Sequence, residues 1–311
     1  MVAYATVWQT RQTQRLGSRQ PGRDAYEWRW RLFFVQRTML KMKVGLVGCG
    51  NIGADLCIAL QRGTIPAEIV ALTDIDDARA RKLLNSFGLN AIICDLDENM
   101  AAVDYVVECA QPSVVESVVA AAIRHQRDCL IMSVGGLMDH PELIDEAREK
   151  GVDIRIPSGA ISGLDGIRAA MEAGLHHVML TTRKPPKGLS GAPYLIENGI
   201  DVDNLTDAKV VFEGSAREAC KAFPHNVNVA AALSLTGIGP DETMVRVIAD
   251  PRATSNTHEI VVEGAFGMLK TVTENLASPR NPKSSYLASL SAVAELRAVA
   301  SQFVAHHQGL V

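Results

Sequence analysis

The sequence predicts an α/β protein in which a doubly wound parallel sheet is followed by a smaller α+β domain. Two observations support this prediction. In residues 42–157, short apolar segments alternate with helical segments of about 12 residues, which is typical of a parallel sheet covered by helices on both faces. In residues 158–280, predicted strands outnumber helices, which favours a mixed or antiparallel sheet.

A glycine-rich turn follows the first predicted strand. The segment MKVGLVGCGNIGADLCIALQRG (42–63) places a GxGxxG motif between a strand and a helix, a context far more specific than the motif alone. The first glycine permits a tight turn, the second lets a pyrophosphate approach the backbone, and the third lets helix and strand pack closely. Unpaired N–H groups at the helix N-terminus then face the phosphates, so we predict a Rossmann-type dinucleotide-binding domain. The predicted cofactor contacts in this turn are Gly48, Gly50, Asn51, Ile52 and Gly53.

An acidic residue ends the second predicted strand. Asp74 follows Gly53 by 21 residues, the spacing expected for a carboxylate that binds the adenosine ribose. Such a carboxylate repels the 2′-phosphate of NADP, but Arg79 and Arg81 lie close enough in sequence to weaken this effect. We therefore predict NAD or NADP as the cofactor. The alternative is that Asp74 only caps the helix that follows it.

A second glycine turn follows the strand DCLIMS. Gly135 and Gly136 lie where the chain leaves the carboxyl end of that strand, and ligands of parallel sheets lie at this edge. They would let the backbone approach the nicotinamide ribose. The alternative is a plain strand-to-helix turn.

Composition limits the possible partners and ligands. The net charge of −4 gives no reason to expect nucleic acid or an anionic membrane, and no run of about 18 apolar residues predicts a transmembrane helix. The six cysteines lack CxxC spacing, so we expect no metal site and a reducing, cytoplasmic environment.

The first 41 residues form a leader of different composition. Residues 1–42 hold seven arginines and one lysine against two acidic residues, and they contain all three tryptophans. The leader is interpretable as a targeting peptide, as an arm that packs on a partner, or as upstream sequence translated before a natural start at Met42. We favour the last interpretation and expect residues 1–41 to be poorly ordered.

A dinucleotide enzyme that oxidises a C–OH or C–NH₂ group must also remove a proton, and histidine is the usual group for this task. The second domain offers His176, His177, His225 and His258. The adjacent pair opens a strand and is typical of a solvated boundary. Spacing alone does not separate His225 from His258.

Several blocks resemble the L-aspartate dehydrogenase family over about residues 42–311. They are VGLVGCGNIG, IPSGAISGLDGI, VMLTTRKP, VFEGSAREACKAFPHNVNVAAALSL, HEIVVEGAFG and NPKSSYLASLS. The resemblance implies reversible, NAD(P)-dependent oxidative deamination of L-aspartate to iminoaspartate, then oxaloacetate and ammonium. It also implies a cytoplasmic homodimer, a small-molecule substrate and a link to NAD biosynthesis.

The same resemblance implies roles for particular residues. His258, in the HEI block, corresponds to the catalytic histidine of the family. Gly136, where the family often has alanine, and Asn228 correspond to cofactor contacts. The resemblance further implies that the last helix, in residues 281–311, packs back on the first domain, while residues 158–280 form the substrate and dimerisation domain.

The two carboxylates of aspartate require cations or N–H donors. Arg183, Lys184 and Lys283 are candidate cations, and the turn that begins at Ser158 precedes a helix and could donate N–H groups. Each cation has a simpler explanation as a solvated strand end or helix start.

Two other function classes remain open from the sequence. One is another two-domain oxidoreductase, of the homoserine or dihydrodipicolinate type; sugar and inositol dehydrogenases usually carry an EKP motif that ECAQPS and SVGG lack. The other is a non-catalytic sensor that binds NAD and needs no His258. The sequence does not choose between NAD and NADP, the physiological direction or the oligomer size.

Overall fold

The computed structural model describes residues 40–224 and 227–309, with the side chains of residues 227, 282 and 283 left undescribed. The predictions made for the leader and for His225 concern residues outside these ranges, apart from Leu40 and Lys41. The first strand begins at Met42.

The first part of the described chain forms a six-stranded parallel sheet. Its strands are β1 (Met42–Val47), β2 (Ala67–Thr73), β3 (Ile92–Ile93), β4 (Tyr105–Glu108), β5 (Asp128–Ile131) and β6 (Ile154–Arg155). Their spatial order is β3-β2-β1-β4-β5-β6, and all neighbours are parallel. This is the Rossmann order, so the predicted fold class is confirmed, with the direction of winding changing between β1 and β4.

Helices cover both faces of this sheet. They are α1 (Asn51–Gln61), α2 (Asp77–Phe87), α3 (Leu96–Ala102), α4 (Val115–His125) and α5 (Pro141–Glu149), with 3₁₀ turns at Pro112–Val114 and Val134–Leu137. Because both faces are covered, the strands are continuous apolar runs; Val44, Leu46, Val106 and Leu130 are fully buried.

The second part forms a five-stranded sheet of mixed direction, as predicted. Its strands are β7 (Leu175–Lys184), β8 (Lys209–Ser215), β9 (Met244–Ala249), β10 (Asn256–Gly264) and β11 (Gly267–Asn275). Their order is β11-β10-β7-β9-β8; β7 and β9 are parallel and the other neighbours are antiparallel. The accompanying helices are α6 (Leu164–Met171), α7 (Pro193–Glu197), α8 (Ala216–Ala222) and α9 (Val227–Thr236), with a 3₁₀ turn at Pro186–Gly188.

The two faces of this second sheet differ. Alternate residues such as Val178, Leu180, Ile260 and Val262 are buried on the inner face, where α6, α8 and α9 contribute apolar side chains to the same cluster. Residues of opposite parity point outward and are more exposed. The alternation of apolar and polar residues along these strands therefore indicates a sheet that is covered by helices on one face.

The chain ends with a short hairpin and a long helix. The hairpin consists of β12 (Ala277–Ser278) and β13 (Asn281–Ser285), and the helix is α10 (Tyr286–His307). Among the described helices, α10 alone is long and apolar enough to cross a membrane. Its residues Ala292, Leu296 and Ala300 are instead fully buried in the cluster that covers one face of the first sheet. The apolar character of α10 is thus explained by its packing on the first sheet.

Candidate active site

The glycine-rich turn between β1 and α1 has the shape that a dinucleotide requires. Gly48 has a φ of +100°, and a side chain there would lie within 2.7 Å of the backbone of Cys109 and Ala110. A Cβ on Gly53 would lie 3.1 Å from the Gly48 carbonyl oxygen. By contrast, a Cβ on Gly50 would meet nothing within 4 Å, so the turn is open at this glycine. No side chain in the described part of the chain caps α1, which leaves its first N–H groups available for an anion.

Asp74, immediately after β2, reaches this turn. Its Oδ2 accepts a hydrogen bond from the Cys49 N–H (2.7 Å) and its Oδ1 accepts one from the Asp76 N–H (2.9 Å). The alternative prediction, that Asp74 caps α2, is wrong, because the N-cap is Asp76, whose side chain accepts from the Ala78 N–H (3.0 Å). The Asp74 carboxylate therefore lies beside the glycine turn, at the adenosine half of the sheet.

The two arginines that follow Asp74 are engaged with other acids. Arg79 lies 3.5 Å from Asp76 and Arg81 lies 3.6 Å from Asp77, and all four side chains are more than half exposed. These contacts are weak, so both arginines can still move toward a 2′-phosphate.

Asp74→Asn is expected to shift cofactor selectivity toward NADP. Asparagine can still accept the Cys49 N–H bond, but it no longer repels a 2′-phosphate. The ratio of the dissociation constants for NAD and NADP should change by roughly tenfold or more, equivalent to about 1.4 kcal/mol. Titration with each cofactor measures this ratio. Asp76→Asn is the matched control, since it removes an equal charge and keeps an N-cap; an equal shift in both variants would contradict a specific role for Asp74.

The turn after β5 contacts α9 of the second part of the chain. The Gly135 N–H donates to Asn228 Oδ1 at 3.1 Å, so two predicted cofactor contacts that lie 93 residues apart are brought together. Gly136 is buried, and a Cβ there would overlap the Pro112 carbonyl oxygen and the Val115 side chain. In this chain the glycine at 136 is therefore required for packing, and alanine would force the Pro112–Val115 segment to move.

His258 lies in β10 on the inner face of the second sheet and is only 4% exposed. Its Nδ1 is 3.0 Å from the hydroxyl of Thr182, its neighbour across β7. On the other side His258 pairs with Thr273 of β11, whose hydroxyl lies 3.2 Å from that of Ser162. Ser162 belongs to the segment 158–163, which follows β6 at the carboxyl edge of the first sheet. Only β11 therefore separates His258 from this segment.

The surroundings of His258 keep its imidazole neutral. Burial, with a smaller contribution from the nearby Lys184 ammonium, lowers the pKa of His258 to about 3. Burial likewise lowers the pKa of Lys184 to about 8. At neutral pH His258 is therefore an uncharged imidazole, and Lys184 is an ammonium group that is mostly charged.

The low pKa of His258 predicts a loss of stability in acid. Between about pH 6.5 and 3 the unfolded chain protonates this histidine and the folded chain does not, so unfolding becomes more favourable as the pH falls. The contribution is on the order of a few kcal/mol. Melting temperatures measured from pH 7 to 4.5 should fall less steeply for His258→Gln than for the parent. His177→Gln, at an exposed position of the same sheet, should follow the parent, and a parallel fall in all three proteins would contradict the prediction.

The two adjacent cations of β7 point to opposite faces. Lys184 is 7% exposed, lies on the inner face with Thr182, and lines a cavity of about 20 Å³, which has room for one water molecule. Arg183 points outward, and its guanidinium lies 2.7 Å from Asp250. The structure therefore brings Lys184, and not Arg183, to the face that carries His258.

The remaining substrate candidates are placed less completely. Ser158 is half-buried, and its carbonyl oxygen accepts from the Ile161 N–H (3.2 Å). The Gly159 N–H donates to Ser291 Oγ of α10 (3.1 Å), so two N–H groups of this turn are already used. Lys283 belongs to β13, but its side chain lies outside the described part of the structure.

Sequence reasoning missed two polar residues, Thr182 beside His258 and Glu108 at the carboxyl end of β4. Alternate residues of a strand point to the same face of a sheet, so the segment TTRK could have assigned Thr182 and Lys184 to one face. No local pattern could have paired Thr182 with His258, since that contact depends on the register between β7 and β10. Glu108, at the end of β4, is fully buried, and its sequence context of apolar residues was the available signal.

Both halves of the chain match known protein families. Residues 165–299 match the family described as "Aspartate dehydrogenase, C-terminal". Residues 48–157 match "Homoserine dehydrogenase, NAD binding domain". The nucleotide-binding half is thus of a type that other enzymes share, and the second half carries the more specific match.

Comparison with individual proteins covers nearly the whole described chain. The chain is 46% identical to L-aspartate dehydrogenase of Methanosarcina mazei over 262 residues, 83% of this chain and 97% of that protein. It is 40% identical to the enzyme of the same name from Bradyrhizobium diazoefficiens over 269 residues, 86% and 95% of the two chains. The crystal structure of aspartate dehydrogenase from Thermotoga maritima superposes with a TM-score of 0.66 at 28% identity, covering 83% of this chain and 96% of that one. Together with the family match of the second half, these relatives show that the chain belongs to the L-aspartate dehydrogenase family.

Proposed function

We infer that this protein catalyses the reversible, NAD(P)-dependent oxidative deamination of L-aspartate, through iminoaspartate to oxaloacetate and ammonium. The observation that carries this conclusion is the 46% identity to an L-aspartate dehydrogenase across 97% of that relative, which includes both domains. The homoserine-type alternative is supported only by the nucleotide-binding half. Substrate choice belongs to the second half, which matches aspartate dehydrogenase.

The residues at the edge of the first sheet fit a dinucleotide. The open turn at Gly50 and the uncapped start of α1 would hold the pyrophosphate, and Asp74 would hold the adenosine ribose. Gly135 and Asn228, which already contact each other, would hold the nicotinamide half. A nicotinamide held there would supply the hydride acceptor for the substrate carbon.

His258 is the proposed acid–base residue. In the tautomer that donates Nδ1–H to the Thr182 hydroxyl, the other ring nitrogen, Nε2, is the basic atom. A neutral imidazole at this position can take a proton from the substrate amine or from the water that attacks the imine. The buried hydrogen bond to Thr182 also restricts rotation of the ring, which keeps Nε2 in one orientation.

Lys184 is the proposed partner of a substrate carboxylate. It shares the inner face with His258, and an ammonium removed from bulk water binds an anion more strongly than an exposed one. Ser158 and Lys283 remain proposed contributors to the second carboxylate. We leave Arg183 out of the proposed site, because it faces the opposite side of the sheet and contacts Asp250.

We also propose that the enzyme is a cytoplasmic homodimer. On the outer face of the second sheet, Met268 and Val272 of β11 are 65% and 51% exposed, and a second copy of the chain would cover such side chains. Buried thiols such as Cys109 and Cys129 suit a reducing compartment. A monomeric mass by light scattering at micromolar concentration would contradict the proposed homodimer. Recovery of the full-length protein in an organelle or in the secreted fraction would contradict the proposed cytoplasmic location.

A substrate panel tests the proposed reaction. The full chain and a form that begins at Met42 are mixed with NADH or NADPH, ammonium and one keto acid, and the loss of absorbance is followed. Consumption with oxaloacetate and ammonium, but not with oxaloacetate alone or with pyruvate or 2-oxoglutarate, supports the proposal. Reduction of aspartate semialdehyde instead would favour the homoserine type, and binding without turnover would identify a sensor.

A further inference from the structure

A buried carboxylate lies at the nicotinamide half of the first sheet. Glu108 is the last residue of β4 and has no exposed surface. Its Oε1 accepts hydrogen bonds from the Ala110 N–H and the Ser133 hydroxyl, both at 2.8 Å. Its Oε2 accepts from the Ser133 N–H at 2.9 Å. The side chain therefore joins the carboxyl ends of β4 and β5.

The hydrogen-bond partners of Glu108 favour its charged form. Each oxygen accepts a hydrogen bond from a backbone N–H, and an N–H group cannot accept one in return. A protonated carboxyl could therefore donate its hydrogen only to the Ser133 hydroxyl. Burial raises the pKa of Glu108, and these donors oppose that effect. Within the described residues, no Lys, Arg or His lies within 4.0 Å of the carboxylate to neutralise it. Among the described residues, this buried carboxyl therefore has hydrogen-bond donors on both oxygens and no ion-pair partner.

The position of Glu108 in the sheet relates this carboxyl to the proposed cofactor site. In the observed strand order, β1 to β3 form the adenosine half and β4 to β6 form the nicotinamide half. Ser133, which Glu108 holds by two hydrogen bonds, begins the turn whose Gly135 N–H contacts Asn228. A continuous path of contacts therefore runs from Glu108 to the residues proposed to hold the nicotinamide.

We propose that Glu108 is a positioning residue that fixes the Ser133–Leu137 turn and, through its negative charge, favours the oxidised nicotinamide over the reduced one. The nicotinamide ring carries a positive charge only in the oxidised cofactor, and a buried charge acts through a low effective dielectric. The adenosine half is identical in both redox forms and would be held by residues that follow the other strands. This inference rests on the dinucleotide site of the proposed function and not on the identity of the substrate.

Glu108→Gln in the full-length protein tests the proposal by binding alone. Dissociation constants are measured for NAD⁺, NADH and ADP-ribose, which lacks the nicotinamide. We expect NAD⁺ to bind about tenfold more weakly, the order expected for loss of one buried charge, NADH to change much less, and ADP-ribose to bind as in the parent. Equal weakening of NAD⁺ and NADH would show a structural role only and would overturn the electrostatic part of the proposal. An unchanged NAD⁺ constant would overturn it entirely.

Two further variants separate charge from geometry. Ser133→Ala removes one hydrogen bond to Glu108 and keeps the charge, so it should leave the ratio of NAD⁺ to NADH affinity at the parent value. In Glu108→Gln, the amide NH₂ group can face the Ser133 N–H, and two donors then oppose each other. Methionine has a similar length and no N–H group, so Glu108→Met replaces the glutamine variant if that protein does not fold. ADP-ribose binding confirms folding in each case. A failed substrate panel with a shifted NAD⁺ to NADH ratio would refute the reaction and leave this inference standing.

Discussion

Replacing His258 with glutamine is expected to lower the turnover number by roughly 10²–10⁴, the usual contribution of a general acid–base group. The imidazole is buried and hydrogen-bonded to Thr182, so the ring is held in one orientation, as an acid–base group requires. Glutamine fills a similar volume but cannot exchange a proton at neutral pH. Steady-state rates with oxaloacetate and ammonium, measured at saturating cofactor, give the effect.

Cofactor binding provides the control for this prediction. His258 belongs to the second sheet, so the NADH dissociation constant of His258→Gln should stay close to that of the parent. Thr182→Val keeps the shape of Thr182 and removes the hydroxyl, and we expect a smaller decrease, of about tenfold. A His258→Gln enzyme with full turnover would exclude the assigned role, and loss of NADH binding would show that the variant had damaged the fold.

Replacing Lys184 with methionine is expected to raise the KM for oxaloacetate and for aspartate by about 10- to 100-fold. A hydrogen bond to a charged group contributes about 1.5–3 kcal/mol, which corresponds to changes of this size. Methionine keeps most of the side-chain volume and removes the cost of burying an ammonium, so folding should not limit the result. The matched control is Arg183→Met, which removes the same charge from the next position of β7 but on the opposite face. Equal increases in the two variants would contradict the face-specific role.

The pH dependence of ligand binding gives an independent measurement for Lys184. Burial lowers the pKa of its ammonium to about 8, so the free enzyme should lose this positive charge as the pH rises through that value. Succinate, a dicarboxylate without an amine, should therefore bind more weakly above pH 8 to the parent. Lys184→Met should bind it weakly at every pH and without this transition. A transition that persisted in the variant would assign the effect to another group.

Much of the nucleotide site could be predicted from local sequence. The strand, the glycine turn and the helix are contiguous, so the roles predicted for Gly48, Gly50 and Gly53 follow from their own spacing. Asp74 could be located by counting along one strand, although its hydrogen bond to Cys49 could not. The histidine was different, because spacing alone left His225 and His258 equivalent, and only the family resemblance separated them.

The proposed substrate side of the site depended on strand register and on which face of the sheet is covered. Parity places Arg183 and Lys184 on opposite faces, but the sequence does not say which face α6, α8 and α9 will cover. The packing of these helices buries Lys184 beside His258 and leaves Arg183 outside. Glu108 gives a similar example, since its burial follows from the contact between β4, β5 and the turn at Ser133.

By itself, then, the sequence determined the α/β fold class, the glycine turn and the dinucleotide class of cofactor, because these arise from periodicity and short-range spacing. The tertiary structure decided which distant side chains meet: His258 with Thr182, Gly135 with Asn228, and α10 with the first sheet. The physical reason is that these contacts join residues 76 or more positions apart. They are fixed by strand register and helix packing, which bury one particular face of each element, and no local pattern in the chain encodes that choice.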